Sequence, residues 1–280
     1  MTPRLTWLPD DATSATPPWT RPLAALFIGA MAFSLAGSLM LRLFPASMAL
    51  FGPLYPLLVK IPTWTYMALL PAIAVGLYGP GLGARHTALF ALAGGGLGAA
   101  SELIGTTTGV PFGAYRYTEW LGPKILGHVP YFIPLSWFAM SIVSFDLASR
   151  VTEHRIRKIC LAAAFMVLWD VSLDPAMSRA FPFWTYPDGG IFYGMPLSNW
   201  AGWFAVSLAI MWAYTEIVGS QTPRHAWAPV FYVLNAAFPL AISTLSGLYG
   251  AVACGLVATA IPLVLVHRAG TATPLPKPAR

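Results

Sequence analysis

Long apolar runs, each about the length of one bilayer crossing, alternate with short polar and proline-rich breaks along almost the whole chain. A helix spanning a hydrocarbon core of about 30 Å needs around 20 largely apolar residues. Runs of that kind lie at 22–42, 64–80, 86–105, 131–149, 158–178, 199–218, 226–244 and 247–267. They predict an all-α, polytopic membrane bundle of eight transmembrane helices, with seven as the alternative count. The stretch 44–62 is apolar as well, but Pro45, Pro53, Pro56 and Pro62 interrupt it. Proline removes a helical hydrogen bond, so a broken or interfacial segment is expected there. Residues 1–20 and 269–280 read as disordered tails around a single transmembrane domain over 21–268. The run from Leu23 is too long for a signal-peptide core and suits a spanning helix.

Composition sharpens this picture. Only 9% of the residues are charged, against about 25% in soluble domains, too few to coat a soluble globule. The net charge of +6 raises nucleic acid as a partner, but the basic residues punctuate apolar runs and do not cluster with stacking aromatics. That pattern excludes nucleic acid and instead sets orientation in a membrane. Eight spans put 11 basic residues on the side of both termini and 5 on the other (Arg42, Lys60, Arg116, Lys124 and Arg179). Positive charge marks the cytoplasmic side, so both termini are expected in the cytoplasm of a multi-pass protein of the cell membrane.

Carboxylates inside spans are costly and are functional candidates. Five of the ten acidic residues fall in apolar segments: Glu102, Asp146, Asp170, Asp174 and Glu216. Asp146 and Glu216 lie at cytoplasmic helix ends near Arg150 and Arg224, where solvation or pairing accounts for them. At 1.5 Å per residue, Asp170 sits about 18 Å along its helix from Lys158 and Asp174 about 24 Å, while Glu102 is about 26 Å from Arg85. All three then occupy the outer half of the bilayer. Asp170 and Asp174 are four apart and share a helix face. Two carboxyls on one face in a low dielectric do not readily both ionise, which keeps a proton available for general-acid work. The competing reading is that they hydrogen-bond neighbouring helices or cap the break at Asp174-Pro175.

Aromatic residues crowd the loops 106–130 and 179–198, which this topology puts on the same outer side. Trp and Tyr at headgroup depth would explain any one of them, but explain their joint placement beside three intramembrane acids less well. Aromatic faces stabilise cations by up to about 2 kcal/mol when desolvated. An acid in an aromatic, apolar pocket suits protonation of a carbon–carbon double bond to a tertiary cation, captured by water or by a second double bond. Other chemistries lack their parts: G-x-S-x-G, Walker A, G-x-G-x-x-G and H-E-x-x-H patterns are missing. The glycines at 94–96 sit inside a span, where they allow close helix packing. The histidines at 86, 128, 154, 225 and 267 are scattered, and Cys160 and Cys254 stand alone as small hydrophobes in apolar segments. No metal site is expected.

The segments ELIGTTTGVPFGAYRYTEWLG, VPYFIPLSWF, WDVSLDPAM and FWTYPDGGIFYGMPLSNWAGW, in that order over roughly residues 85–220, resemble the bacterial and archaeal carotenoid hydratase family. That family includes the carotenoid 1,2-hydratases of the gamma-carotene route and the bisanhydrobacterioruberin hydratases. The resemblance implies a lipid-soluble carotenoid substrate, addition of water to the terminal double bond of an acyclic end, and no redox cofactor. It falls on Glu102, Tyr115, Tyr117, Trp137, Asp170, Asp174, Trp184, Tyr193, Asn199 and Trp200. Chemistry, not the resemblance, assigns their roles: Asp174 or Asp170 donates the proton and Glu102 orients or deprotonates water. Tyr115, Tyr117, Trp184 and Trp200 line the cation, and Asn199 fixes a water or a carboxyl. A carotenoid cyclase, a proton-relaying transporter and a carotenoid-binding protein without chemistry are the rival readings. The chain leaves open which carotenoid reacts and whether other enzymes of the pathway associate with it.

Overall fold

The computed structural model describes residues 16–219 and 222–272. The tails expected at 1–20 and 269–280 fall mostly outside these residues. Within them, α1 (Thr20–Leu43) starts at the edge of the first tail and α8 (Tyr249–Ala272) runs into the second. Between them lie α2 (Ser47–Phe51), α3 (Tyr55–Thr108), α4 (Phe132–Val151), α5 (Arg155–Asp174), α6 (Leu197–Val218) and α7 (Ala228–Leu245). Helices dominate because apolar surroundings leave backbone N–H and C=O groups no water to bond, and a helix pairs them within its own segment.

Among the described residues, seven helical elements are long and apolar enough to cross a membrane, so the chain is an all-α, multi-pass membrane protein. Eight expected spans become seven elements because 64–80 and 86–105 join into one run. The join is bent at Gly83, whose φ of 75° and ψ of 162° are not helical. A residue without Cβ takes that conformation at little cost. At 1.5 Å per residue, α3 would be about 81 Å long if straight, far beyond a hydrocarbon core of about 30 Å. The bend divides it into two arms, 55–82 and 84–108, each long enough for a crossing of its own.

The proline-rich stretch is less broken than expected. The interruption is confined to residues 44–46 and to a 3-10 turn at Gly52–Leu54, and α3 is already helical from Tyr55. Pro56 sits in the first turn, where its missing N–H has no helical partner to lose.

Helix α4 is the centre of the bundle. Residues 137–149 are buried without interruption, with α3, α5, α6, α7 and α8 packed around them. A helix apolar on every side belongs in a core of this kind. Cys160 and Cys254 are exposed on outward faces and are not core hydrophobes.

Polar groups at one end of the core are tied together. Asp146 is fully buried, not solvated at an interface. Its carboxylate accepts from Arg150 Nε at 2.7 Å, Tyr78 Oη at 3.0 Å and the His225 backbone N–H at 2.8 Å. Arg150 also donates to the His225 carbonyl at 2.6 Å, so the α6–α7 connection is laced to α4. Glu216 pairs with Arg155 and not with Arg224, which instead pairs with Glu153.

Removing the Asp146 carboxylate strands two buried donors, Tyr78 Oη and the His225 N–H, and takes the counter-charge from the part-buried Arg150. Asp146→Ala is therefore expected to lower stability by about 3–5 kcal/mol, read as the thermal unfolding of purified protein in detergent. His225 supplies a pH test. Burial and the Arg150 guanidinium hold its imidazole down to about 4. The unfolded chain thus takes up a proton near pH 6.5 that the folded chain refuses until about 4, and stability is lost as pH falls through that window. The drop in melting temperature between pH 7 and pH 5 should be smaller in His225→Gln than in the wild type.

Candidate active site

Glu102 faces inward from the second arm of α3, between Gly98 and Gly105 on the same helix face. These glycines decide what reaches the carboxyl. A Cβ on Gly98 would stand 2.6 Å from the Trp137 ring, and one on Gly105 would stand 2.8 Å from Tyr115 Oη. Without them, Trp137 Nε1 donates to Glu102 Oε1 at 2.9 Å, while Tyr115 and Tyr117 donate to Oε2 at 2.5 and 2.8 Å. All three neighbours are donors, so both oxygens of this buried carboxyl serve as acceptors. Burial, then the adjacent Glu102, push both tyrosine hydroxyls well above their usual range, so they keep their protons.

The second acidic group lies on α5. Asp170 and Asp174 are one turn apart, and after Asp174 the helix widens into a π turn over Pro175–Ala180. Such turns are frequent at functional sites. Trp184 Nε1 donates to Asp174 Oδ1 at 2.8 Å and Tyr186 Oη to Oδ2 at 2.7 Å. Asn199 Nδ2 in turn donates to Tyr186 Oη at 3.0 Å, bringing α6 into the chain of bonds. Asp170 is equally buried, yet its Oδ2 has no hydrogen-bond partner among the described residues, and neither has Asn199 Oδ1.

A small sheet joins the two groups. Strand β1 (Arg116–Tyr117) pairs antiparallel with β4 (Trp184–Thr185), matching Tyr117 to Trp184. The intervening strands β2 (Lys124–Ile125) and β3 (Val129–Pro130) form a second two-stranded ribbon that leads into α4. The loops after α3 and α5 are thereby knitted together, with Thr118 bonding Phe183 across the joint. Tyr115 then lies 5.6 Å from Tyr117 and 6.3 Å from Tyr186, and Tyr117 lies 6.0 Å from Trp184, ring centre to ring centre.

Together these side chains enclose a cavity of about 70 Å³. Of the residues singled out in the sequence, Glu102, Tyr115, Tyr117, Trp137, Asp170, Trp184 and Asn199 line it. Asp174 stands behind the wall and holds Trp184 and Tyr186 in it. Tyr193 and Trp200 are elsewhere. Tyr193 Oη accepts the Ala251 N–H at 3.0 Å at the start of α8, and Trp200 packs on Phe192 at 4.9 Å.

Comparison with known proteins bears on this arrangement. The model of a family described as carotenoid biosynthesis protein matches residues 63–262, most of the chain and every residue lining the cavity except Met31. The chain belongs to that family. A bisanhydrobacterioruberin hydratase of Haloarcula japonica is 37% identical over 107 residues, a match covering 36% of this chain and 36% of that protein. Little more than a third of the relative's length is therefore spanned. No solved structure matches the chain.

The cavity also holds residues that the sequence reading passed over. Trp203 stacks on Trp137 at 4.2 Å and meets Trp169 edge-on at 6.0 Å, extending the aromatic wall. Trp203 follows Asn199 by four, and that spacing on one helix face was the available signal. Asn235, on α7, lies outside the resembling segments. An amide in an apolar span was its only mark.

This geometry can hold a proton on a buried acid beside an aromatic, largely apolar space. Access of Trp137 to Glu102 rests on the missing Cβ at position 98. Gly98→Ala is expected to cost roughly 1–3 kcal/mol through overpacking. Gly96→Ala, where a Cβ meets nothing within 4 Å, should be neutral or slightly stabilising. Melting curves of the two variants in detergent check this.

Proposed function

We propose that this protein is a cofactor-independent carotenoid hydratase, a hydro-lyase that adds water to the terminal double bond of an acyclic carotenoid end such as that of gamma-carotene or lycopene. The observation carrying the reading is Asp170: a buried carboxyl with an unpartnered oxygen, in a cavity walled by tyrosine and tryptophan rings. Family membership and the partial likeness to a hydratase support the same class of reaction.

In this mechanism the Asp170 O–H bond breaks and its proton joins one carbon of the trisubstituted double bond. Positive charge forms on the other, tertiary carbon, where Tyr115, Tyr117, Trp137 and Trp184 present aromatic faces. A water oxygen then donates a lone pair to that carbon. The oxonium then loses one proton, taken up by Glu102 and handed back to the Asp170 carboxylate, so Asp170 is again an acid, one water is added and no net proton is consumed. Asn199 Oδ1 is an acceptor suited to orienting the water. Glu102, fixed by three donors, has its geometry set before substrate arrives. Asp174 positions Trp184 and Tyr186 and acts through them.

A carotenoid cyclase would use the same protonation, with a second double bond in place of water. The unpartnered Asn199 Oδ1 favours water, because ring closure needs an acid and a base but no acceptor to orient a nucleophile. We further assign the protein to the cell membrane with both termini in the cytoplasm, on the excess of basic residues along that side.

The test is expression in a bacterium engineered to make lycopene or gamma-carotene, with pigments analysed by liquid chromatography and mass spectrometry. A tertiary alcohol heavier than the substrate by one water is expected. Asp170→Asn should lower its yield at least about 100-fold, the scale of a lost general acid, and Asp174→Asn less. A cyclised product of unchanged mass would replace hydration with the cyclase reading. Full hydration in folded Asp170→Asn, Asp174→Asn and Glu102→Gln would remove the acids from the mechanism.

A further inference from the structure

Beside the acid cavity runs a second, larger space of about 450 Å³ that the mechanism above does not use. Its walls are one face of α1 from Phe33 to Leu41, the start of α3, the π turn with the segment after it, and α7. At 1.5 Å per residue the α1 wall alone is about 12 Å long. Tyr66, Met177, Phe183 and Phe238 line both spaces and form the partition between them.

Two features set the chemistry of this groove. Ser34 and Ser38 spend their hydroxyls on carbonyls of their own helix, Ala30 O at 3.1 Å and Ser34 O at 2.9 Å, so the wall they contribute is apolar in effect. Two partition residues are fastened to the π turn, since Phe183 N–H donates to the Met177 carbonyl at 2.8 Å. The turn that follows Asp174 therefore also shapes the passage between groove and cavity.

Size completes the argument. The cavity has room for the reacting end of a chain and a water, and the groove is about six times larger. A conjugated polyene is stiff and cannot coil into a small pocket. If its end lies at Asp170, the rest must leave through an elongated apolar channel continuous with the cavity. Resting on the hydratase reading for its occupant, we propose that this groove between α1, α3, the π turn and α7 holds the linear polyene chain of the carotenoid. The partition of Tyr66, Met177, Phe183 and Phe238 is the mouth through which the acyclic end reaches Asp170, and groove width then selects among carotenoids.

Gly37 offers a clean test. It lines the groove, and a Cβ there meets nothing within 4 Å, as is also true of Gly29, which is exposed on α1 away from the groove. Gly37→Trp, Gly37→Leu and Gly29→Trp are each built on Asp170→Asn, which binds without turnover. The proteins are purified from lycopene-producing cells, and pigment per folded, monodisperse protein is measured with its visible circular dichroism. Gly37→Trp is expected to lose pigment at least tenfold, Gly37→Leu less, and Gly29→Trp not at all. If Gly37→Trp misfolds, loss of pigment in folded Gly37→Leu relative to Gly29→Trp carries the test. Equal pigment in the Gly37 and Gly29 variants overturns the groove. So does Asp170→Asn protein that carries only phospholipid or nothing. Hydration is assayed separately with Asp170 intact. Pigment lost from the Gly37 variants in a protein that never hydrates lycopene would keep the groove and discard the hydratase, while intact hydration in folded Gly37→Trp would do the reverse.

Discussion

A carboxyl group buried in a membrane bundle has to find its hydrogen-bond donors within the protein, and this structure is arranged around that demand. Glu102 draws two tyrosines from the loop after α3 and a tryptophan from α4. Asp174 draws a tryptophan and a tyrosine from the loop after α5. The two loops are thus held against the helices by the acids and against each other by a short antiparallel pairing. An unsatisfied polar group in low dielectric is expensive, so these bonds offset part of the entropy lost in ordering the loops. The same requirement at the other end of α4 ties Asp146 to Arg150, Tyr78 and the connection before α7.

Against that background, the exception is informative. Asp170 is as deeply buried as Glu102 and Asp174 and lies one helical turn from Asp174. Yet one of its oxygens, like that of Asn199 across the cavity, is left without a protein partner. Satisfied acids build the walls, and an unsatisfied one faces the space they enclose. That division of labour among three carboxyls is the physical basis of the proposed protonation.

Packing supports the electrostatics. Tryptophan and tyrosine rings reach Glu102 only because Gly98 and Gly105 leave its helix face bare on either side. The π turn after Asp174 displaces the following chain so that Met177 and Phe183 stand between the acid cavity and the apolar groove. Small residues and a local change of helical pitch accomplish what a larger loop rearrangement would in a soluble enzyme, because irregular backbone inside a membrane protein is tolerated only where it is buried or lines a cavity.

Much of this protein is legible along the chain. Runs of about 20 apolar residues mark the helices, since hydropathy is a local property that a bilayer reads directly. A spacing of four places Asp170 and Asp174 on one face, and ordered segments of aromatic and acidic residues disclose the family. The sequence does not disclose that a single non-helical residue, Gly83, separates the helices expected at 64–80 and 86–105, that α3 begins in the proline-rich stretch, or that Asp146 is buried. Nor does it separate Tyr193 and Trp200, which pack elsewhere, from Tyr186, Trp169 and Trp203, which line the cavity. Those facts depend on which donor meets which acceptor across 10 to 79 residues of chain. Local pattern determined what lies in the membrane. Only three-dimensional packing decided which buried carboxyls are satisfied and which one keeps an oxygen without a partner.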